Sequence, residues 1–373
     1  MMRRVLLLCL LFHLLLPAFP GAAQALPPPE RLAALARGVN VAHWFRFPPS
    51  WAEPDVVGYL RDSDLRALKA AGFTFIRLPV DPAMVALPDG RWHPHRLRQL
   101  ETVVGRITAS GLAVVLEPHP VSSTPLDTDA AARERIFRFW RELAPSMAKF
   151  PPGKVFLELM SEPVFRGREA EWYAMQQALA AEVRARAPLH TIIATGAGWS
   201  SIDGLLLLAP LADPNVVYTF HFYWPMAFTH QGTSYAGPQF AALQGLPWPA
   251  MPTEACRAAL PPQGSPQAEA TAAWYCRAGF DAARLVAEIG RARAWADQHG
   301  VALLAGEFGA SCNPPDRAAK VRFMRDVRLA MEANRVGWAL WGLDNCQGFG
   351  ADPRRRDFTL APDFLGALGL PPR

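Results

Sequence analysis

Eight short apolar runs, separated by stretches of helical periodicity, constrain this 373-residue chain more than any other feature. They are Arg37–His43, Phe73–Val80, Leu112–Glu117, Val155–Met160, Thr191–Thr195, Val216–Phe222, Ala302–Glu307 and Gly337–Trp341. The runs are continuous rather than alternating, as expected of parallel strands covered on both faces. Between them, Leu97, Leu100, Val104 and Ile107 form one helical stripe, with Gly111 as a stop. Trp172, Met175, Leu179 and Val183 form a second, and Val321, Met324, Val327 and Met331 a third. Strand alternating with helix eight times predicts an α/β fold, the (β/α)8 or TIM barrel. An open doubly wound sheet would carry a Gly-rich phosphate loop after its first strand. Val39-Asn40-Val41-Ala42-His43-Trp44 is not such a loop.

The first residues read as a leader rather than as part of the fold. Met1-Met2-Arg3-Arg4 is a basic head, Val5 to Leu16 is almost wholly apolar, and Ala23-Gln24-Ala25 is a small-x-small cleavage signal. The apolar core is shorter than the ~20 residues a spanning helix needs, which argues against a membrane anchor. The expectation is a signal peptide over 1–25 and a single catalytic domain over 26–373, secreted or periplasmic. No Gly/Ser linker or low-complexity tract divides that domain. α/β barrels commonly run this long as one unit.

The formal charge is +5, and +3 once Arg3 and Arg4 leave with the leader. No basic stripe with interleaved aromatics occurs, so nucleic acid is not an expected partner. Attraction to an acidic polysaccharide stays open. Four cysteines follow the leader: Cys256, Cys276, Cys312 and Cys346. An even count in an exported chain favours disulfides. Of three possible pairings, Cys256–Cys276 would lie within one long insertion. Cys312 and Cys346 each follow a strand end on the same face. Those two bridges are expected. The spacing does not suit zinc, and His93 with His95 lacks a third ligand, so no metal and no cofactor are expected. The insertion runs from Trp224 to about Gly279, between strands six and seven. It is read as a wall of the substrate cleft.

In a barrel, the C-terminal strand ends form the active face. They read Ile76-Arg77-Leu78-Pro79, Glu117-Pro118-His119-Pro120, Met160-Ser161-Glu162-Pro163, Phe220-His221-Phe222-Tyr223, Gly306-Glu307-Phe308-Gly309 and Leu340-Trp341-Gly342. An acid at the mouth of a buried strand is costly to desolvate unless something uses it. Glu162 and Glu307, on different strands, suggest a carboxylate pair, the equipment for cleaving a glycosidic bond.

This set of strand ends, in this order, resembles family 5 of the glycoside hydrolases, the cellulase-type retaining β-glycosidases. The resemblance spans the mature chain, from Arg37-Gly38-Val39-Asn40 to Trp341-Gly342. It implies that Glu162 is the acid/base and Glu307 the nucleophile. Arg77 and Tyr223 match positions that orient the nucleophile. His119 and His221 match a polar network around the sugar, and Trp341 the floor beneath it. Where the family carries Asn before the acid, this chain carries Ser161, so a direct hydrogen bond to the sugar 2-hydroxyl is altered. Glu158 points to the same side as Glu162, one layer deeper, and reads as structural. Glu117 stays undecided. Trp44, Trp199 and Trp224 follow strand ends as sugar platforms or as loop packing.

The expected function is a retaining β-glycosidase, an endo-β-1,4-glucanase acting as a monomer on β-glucan or a related polysaccharide. A transglycosylase, or a hydrolase of the producer's own exopolysaccharide, is the second reading. A catalytically weak carbohydrate-binding protein is the third.

Overall fold

Alternation along eight strands decides which residues face the centre of this molecule. The computed structural model describes residues 26–120, 126–252, 256, 265–312, 316–355 and 359–371. The leader expected over 1–25 lies outside them. Strands β1 (Arg37–Asn40), β2 (Phe75–Val80), β3 (Ala113–Pro118), β4 (Val155–Glu158), β5 (Thr191–Thr195), β6 (Val216–Phe222), β7 (Ala302–Phe308) and β8 (Gly337–Trp341) pair in chain order. All pairs are parallel, and β8 returns to β1 in a closed barrel. All eight expected strands form, though β1 and β4 stop earlier than their apolar runs.

The expected helical stripes lie inward. Leu100, Val104 and Ile107 are buried on the helix Pro94–Ala109, and Gly111 follows with φ +87°. Trp172, Met175, Leu179 and Val183 are buried on Glu169–Arg186, and Met324, Val327 and Met331 on Arg317–Ala333. These stripes cover the outer face of the barrel. The β5–β6 crossover is reduced to the short helical segments Ala197–Ser200 and Ile202–Leu206. No helix among the described residues is long and apolar enough to cross a membrane.

The interior of the barrel is layered. Its lower part is apolar, built from Phe75, Ala113, Val115, Phe156, Ile193, Val217, Leu304 and Ala339. Side chains two residues further along a strand point the same way. Phe75 is therefore followed upward by Arg77, Val115 by Glu117, Phe156 by Glu158, and Val217 by Thr219 and His221. The sequence thus sets a greasy plug beneath a polar layer. Burying a side chain such as Phe75 contributes roughly 1.5–3 kcal/mol.

Glu307 breaks the simple parity. It lies three residues after Leu304, so plain alternation would send the two to opposite faces. The β6–β7 register shifts here: Phe220 pairs with Ala305, and His221 with Glu307, skipping Gly306. Such an irregularity re-aims the following side chain. A Cβ on Gly306 would come within 2.8 Å of Thr219 Oγ1 and 3.5 Å of Arg77 Nε, so only glycine fits.

Between β6 and β7 lie the segments Met226–Thr229 and Pro238–Ala241 and the helices Pro266–Ala278 and Ala282–His299. Both expected disulfides are present. Cys256–Cys276 has its Cα atoms 5.9 Å apart, and Cys312–Cys346 has them 4.9 Å apart.

A methyl group on Gly38 would sit 2.2 Å from the Phe75 ring at the bottom of the plug. Overpacking of this kind costs about 1–3 kcal/mol. Gly38→Ala should therefore lower the melting temperature by several degrees. Gly38→Ala combined with Phe75→Leu should recover part of the loss. Thermal unfolding of the three proteins checks this.

Candidate active site

Arg77 stands at the centre of the polar layer. It is fully buried. Its Nε and Nη2 donate to the two oxygens of Glu158 at 2.8 and 2.7 Å, a bidentate pair. Its Nη1 donates to Glu307 Oε1 at 2.7 Å and to Asn40 Oδ1 at 2.9 Å, and lies 3.3 Å from Glu117 Oε1. Burial works against the guanidinium charge. The carboxylates of Glu117, Glu158 and Glu307 more than offset it and hold the pKa well above its ordinary value. Asn40 is fixed in turn, since its Nδ2 donates to the Gly306 and Leu340 carbonyls at 3.0 and 3.2 Å.

Glu307 is held from both sides. Arg77 takes one oxygen, and the Tyr223 hydroxyl donates to the other at 2.9 Å. Glu162 is held differently. It lies past the end of β4 in the left-handed backbone region, with φ +50°. Its backbone N–H donates to Ser200 Oγ at 3.2 Å. Trp199 and Ser200 also have positive φ, 59° and 55°. The Gly198 and Trp199 N–H groups donate to the Val164 and Pro163 carbonyls at 3.0 and 3.1 Å. The β4 and β5 loops therefore brace each other. Non-glycine residues in this region cost of order 1–3 kcal/mol each, and such strain gathers at functional sites.

Glu162, Glu307 and His221 converge, with one donor atom of each lying within 4.8 Å of the others. The Glu162 side chain is 31% exposed and that of Glu307 3%. Desolvation raises the Glu162 pKa, while His119, Arg77 and Arg46 pull it down. His221 Nδ1 lies 2.9 Å from Glu162 Oε1, and its Nε2 lies 3.4 Å from Arg77 Nη2. Arg77 can only donate, which assigns the proton to Nδ1, and His221 donates to Glu162. Burial lowers the His221 pKa to about 4 and that of His119 to about 3. Both rings are neutral near pH 7. His119 Nδ1 is 2.9 Å from Glu117 Oε1, and burial raises the Glu117 pKa.

The remaining expected residues divide. Ser161 is buried and its Oγ accepts from Arg77 Nη2 at 3.3 Å. Trp341 stacks on His119, ring centroids 5.5 Å apart. Trp199 and Trp224 line a cavity of about 640 Å³ that opens beside Glu162, with Trp199 42% exposed. Trp44 is no platform. It is fully buried, and its indole N–H donates to the Val56 carbonyl at 2.7 Å. The β6–β7 connection supplies Trp224, Met226, His230, Tyr235, Gln239 and Phe240 to the cavity wall. Glu158, read as structural, is the main partner of Arg77, and Glu117 belongs to the same layer. Sequence reasoning missed Asn40 and Asp344. Asp344 accepts from the Ala42 and His43 backbone N–H groups and the Tyr59 hydroxyl at 2.7, 3.0 and 2.7 Å, which fixes the β1 loop. Asn40, a polar residue inside the first apolar run, was a visible signal; Asp344 was not.

Two donor sets, Glu117–His119–Glu307 and Glu162–His221–Glu307, have the reach to hold a cation. Both are close to the Arg77 guanidinium, whose charge opposes a second cation there.

A family model described as Cellulase (glycosyl hydrolase family 5) matches residues 35–347. The chain belongs to glycosyl hydrolase family 5. Endoglucanase 3 of Fibrobacter succinogenes is 25% identical over 329 residues, covering 83% of this chain and 49% of that protein. Cellodextrinase A of Ruminococcus flavefaciens is 24% identical over 210 residues, covering 54% of this chain and 62% of that one. The chain thus spans about half to three-fifths of these relatives. Thermotoga maritima Cel5A in complex with cellobiose superposes with a TM-score of 0.70 at 25% identity, covering 91% of this chain and 99% of that one. A hyperthermophilic endo-β-1,4-glucanase in complex with substrate gives 0.74 at 21% identity, with 91% and 98% covered, a likeness of fold.

Within the family 5 barrel, Arg77 balances several buried acids at once. Removing one partner of a buried ion pair costs about 3–5 kcal/mol. Arg77→Met should lose at least that much stability, and Arg77→Lys should lose less but forfeit the bidentate contact. Urea unfolding of both variants, read beside the wild type, checks the order.

Proposed function

We propose that this chain is a retaining β-glycosidase that cleaves β-1,4-glucan within the chain by double displacement. Glu162 serves as acid/base and Glu307 as nucleophile. The observation that carries this reading is the approach of their carboxyl oxygens to within 4.8 Å. Retention uses carboxyl groups about 5–5.5 Å apart, whereas inversion leaves about 6.5–9.5 Å for a water molecule.

The two environments support different roles. Glu307 is pinned by Arg77 and Tyr223, which aim one oxygen at an anomeric carbon. Glu162 is partly exposed, with a pKa raised by desolvation, as a proton donor requires. Glu162 would protonate the leaving oxygen while Glu307 forms the glycosyl-enzyme. Glu162 would then take a proton from the attacking water. His221, neutral and donating through Nδ1, holds the Glu162 carboxyl in place without competing for the proton. An open cavity of about 640 Å³ lined by Trp199 and Trp224 suits an extended polymer. Endoglucanases among the relatives point to the same substrate class. Export belongs to this reading too, and the two disulfides support it.

The acid must be protonated in the free enzyme. Its raised pKa means that activity is full below that pKa and is lost as pH rises through it. The alkaline limb of the kcat/KM profile should therefore belong to Glu162. Glu162→Ala should remove the limb and abolish polymer cleavage. It should keep activity on aryl β-cellobiosides with good leaving groups, and azide should raise that rate and yield the β-glycosyl azide. Glu307→Gly should lose activity on both. Full polymer activity in either variant would sink the assignment.

Ser161 allows a second test. On a β-glucan with a free equatorial 2-hydroxyl, Ser161→Asn should raise kcat several-fold with little change in KM, because the gained contact acts in the transition state. The gain should stay below the ~10²-fold that a donor at developing charge can supply. On a substrate substituted at C2, the longer side chain should instead reduce activity. Steady-state kinetics on cellooligosaccharides for both proteins decides the sign.

A further inference from the structure

Two arginines near the carboxylate pair hold neither acid by a hydrogen bond or an ion pair. Arg46 lies on the loop after β1. Its guanidinium sits 5.9 Å from the Trp341 ring centroid and 5.0 Å from that of Phe47. Its Nε is buried with no hydrogen-bond partner. Arg166 lies four residues after Glu162, is exposed, and lines the cavity. Its guanidinium sits 4.4 Å from the Trp199 ring centroid. Among the described residues neither forms an ion pair, although most arginines on this surface do.

Both lie near the carboxylate pair. Trp199 and Arg166 share the cavity with Glu162. Arg46 is over Trp341. It is near enough to Glu117, His119 and Glu162 to influence their titration. The acids that also line the cavity, Asp203 and Glu288, are both taken by Arg291 at 2.6 Å. Arg291 sets one charge against those two, and Arg166 is the arginine of the lining without an acidic partner among the described residues.

A guanidinium lying over an aromatic ring keeps its N–H edge available for a planar anion. A sugar stacked along the same aromatics would bring its ring substituents to that edge. We infer that the cleft is built for a β-linked glucan carrying carboxylate groups, with Arg46 and Arg166 reading the negative charge on the bound polymer. The inference rests on the glycosidase reading above and names its substrate class.

The test compares carboxymethylcellulose with hydroxyethylcellulose of matched length and substitution. Wild-type kcat/KM should favour the anionic polymer by about tenfold, a charge-assisted contact at each arginine. The preference should shrink between about 20 and 500 mM NaCl, because exposed charges are screened. Arg46→Met with Arg166→Met should remove the preference, each single variant part of it. Arg66→Met, an exposed arginine outside the cleft, should leave the ratio as it was. A ratio unchanged in the double variant would overturn the inference and leave the glycosidase reading standing. Cleavage of neither polymer nor of cellohexaose by the wild type would overturn the glycosidase reading instead. Titration calorimetry with Glu307→Gln gives a readout independent of turnover. Binding of both polymers with equal affinity there would also overturn the role of the arginines.

Discussion

One buried guanidinium organises the upper half of this barrel. Arg77 touches Asn40, Glu117, Glu158, Ser161, His221 and Glu307, from five other strands or their ends. Each of those acids would be expensive to bury alone. Together around one cation they form a network in which every strand's register fixes its neighbours' side chains. Apolar replacement of a buried ion pair is often neutral or stabilising. Here that route would remove the carboxylate at β7 along with its anchor. The polar layer is therefore better explained by the chemistry it supports than by the stability it contributes.

Much of this was legible in the chain. The eight apolar runs survive as eight strands because fully buried parallel strands need no alternation to be recognised. Glu162 and Glu307 stood out because a charged residue ending an apolar run is improbable without a use. The disulfides followed from one pair of cysteines lying within the long insertion and the other sharing a face. Other features were hidden because they depend on register or on distant partners. Glu307 turns inward only through the skipped residue Gly306, which no period-two reading anticipates. Trp44 looked available from its place after a strand, yet the Val56 carbonyl captures its indole and the loop buries it. Arg46 and Arg166 are ordinary arginines in the sequence. Only their stacking on aromatic rings without an ion pair among the described residues, visible in three dimensions, distinguishes them.

The left-handed cluster at Glu162, Trp199 and Ser200 shows how local strain and position are linked. Glu162 projects from the strand end because its φ is +50°, and that conformation persists because Ser200 accepts its N–H. Ser200 is itself held at φ +55° by a loop whose N–H groups bond to Pro163 and Val164. Each loop thus braces the other in this form. The aromatic ring of Trp199, displayed by the same distortion, therefore reaches the cavity at a height set by Glu162.

The two carboxylates thus differ in how they are held rather than in kind. Glu307 is fixed by side chains from inside the barrel, where Arg77 and Tyr223 leave little room for motion. Glu162 is fixed by its backbone, with a side chain that keeps one face open and one oxygen on neutral His221. A nucleophile needs aim, and rigid donors supply it. An acid/base needs to meet both a departing oxygen and an incoming water, and an open face supplies that. The proposed roles rest on this asymmetry of support more than on the shared chemistry of two glutamates.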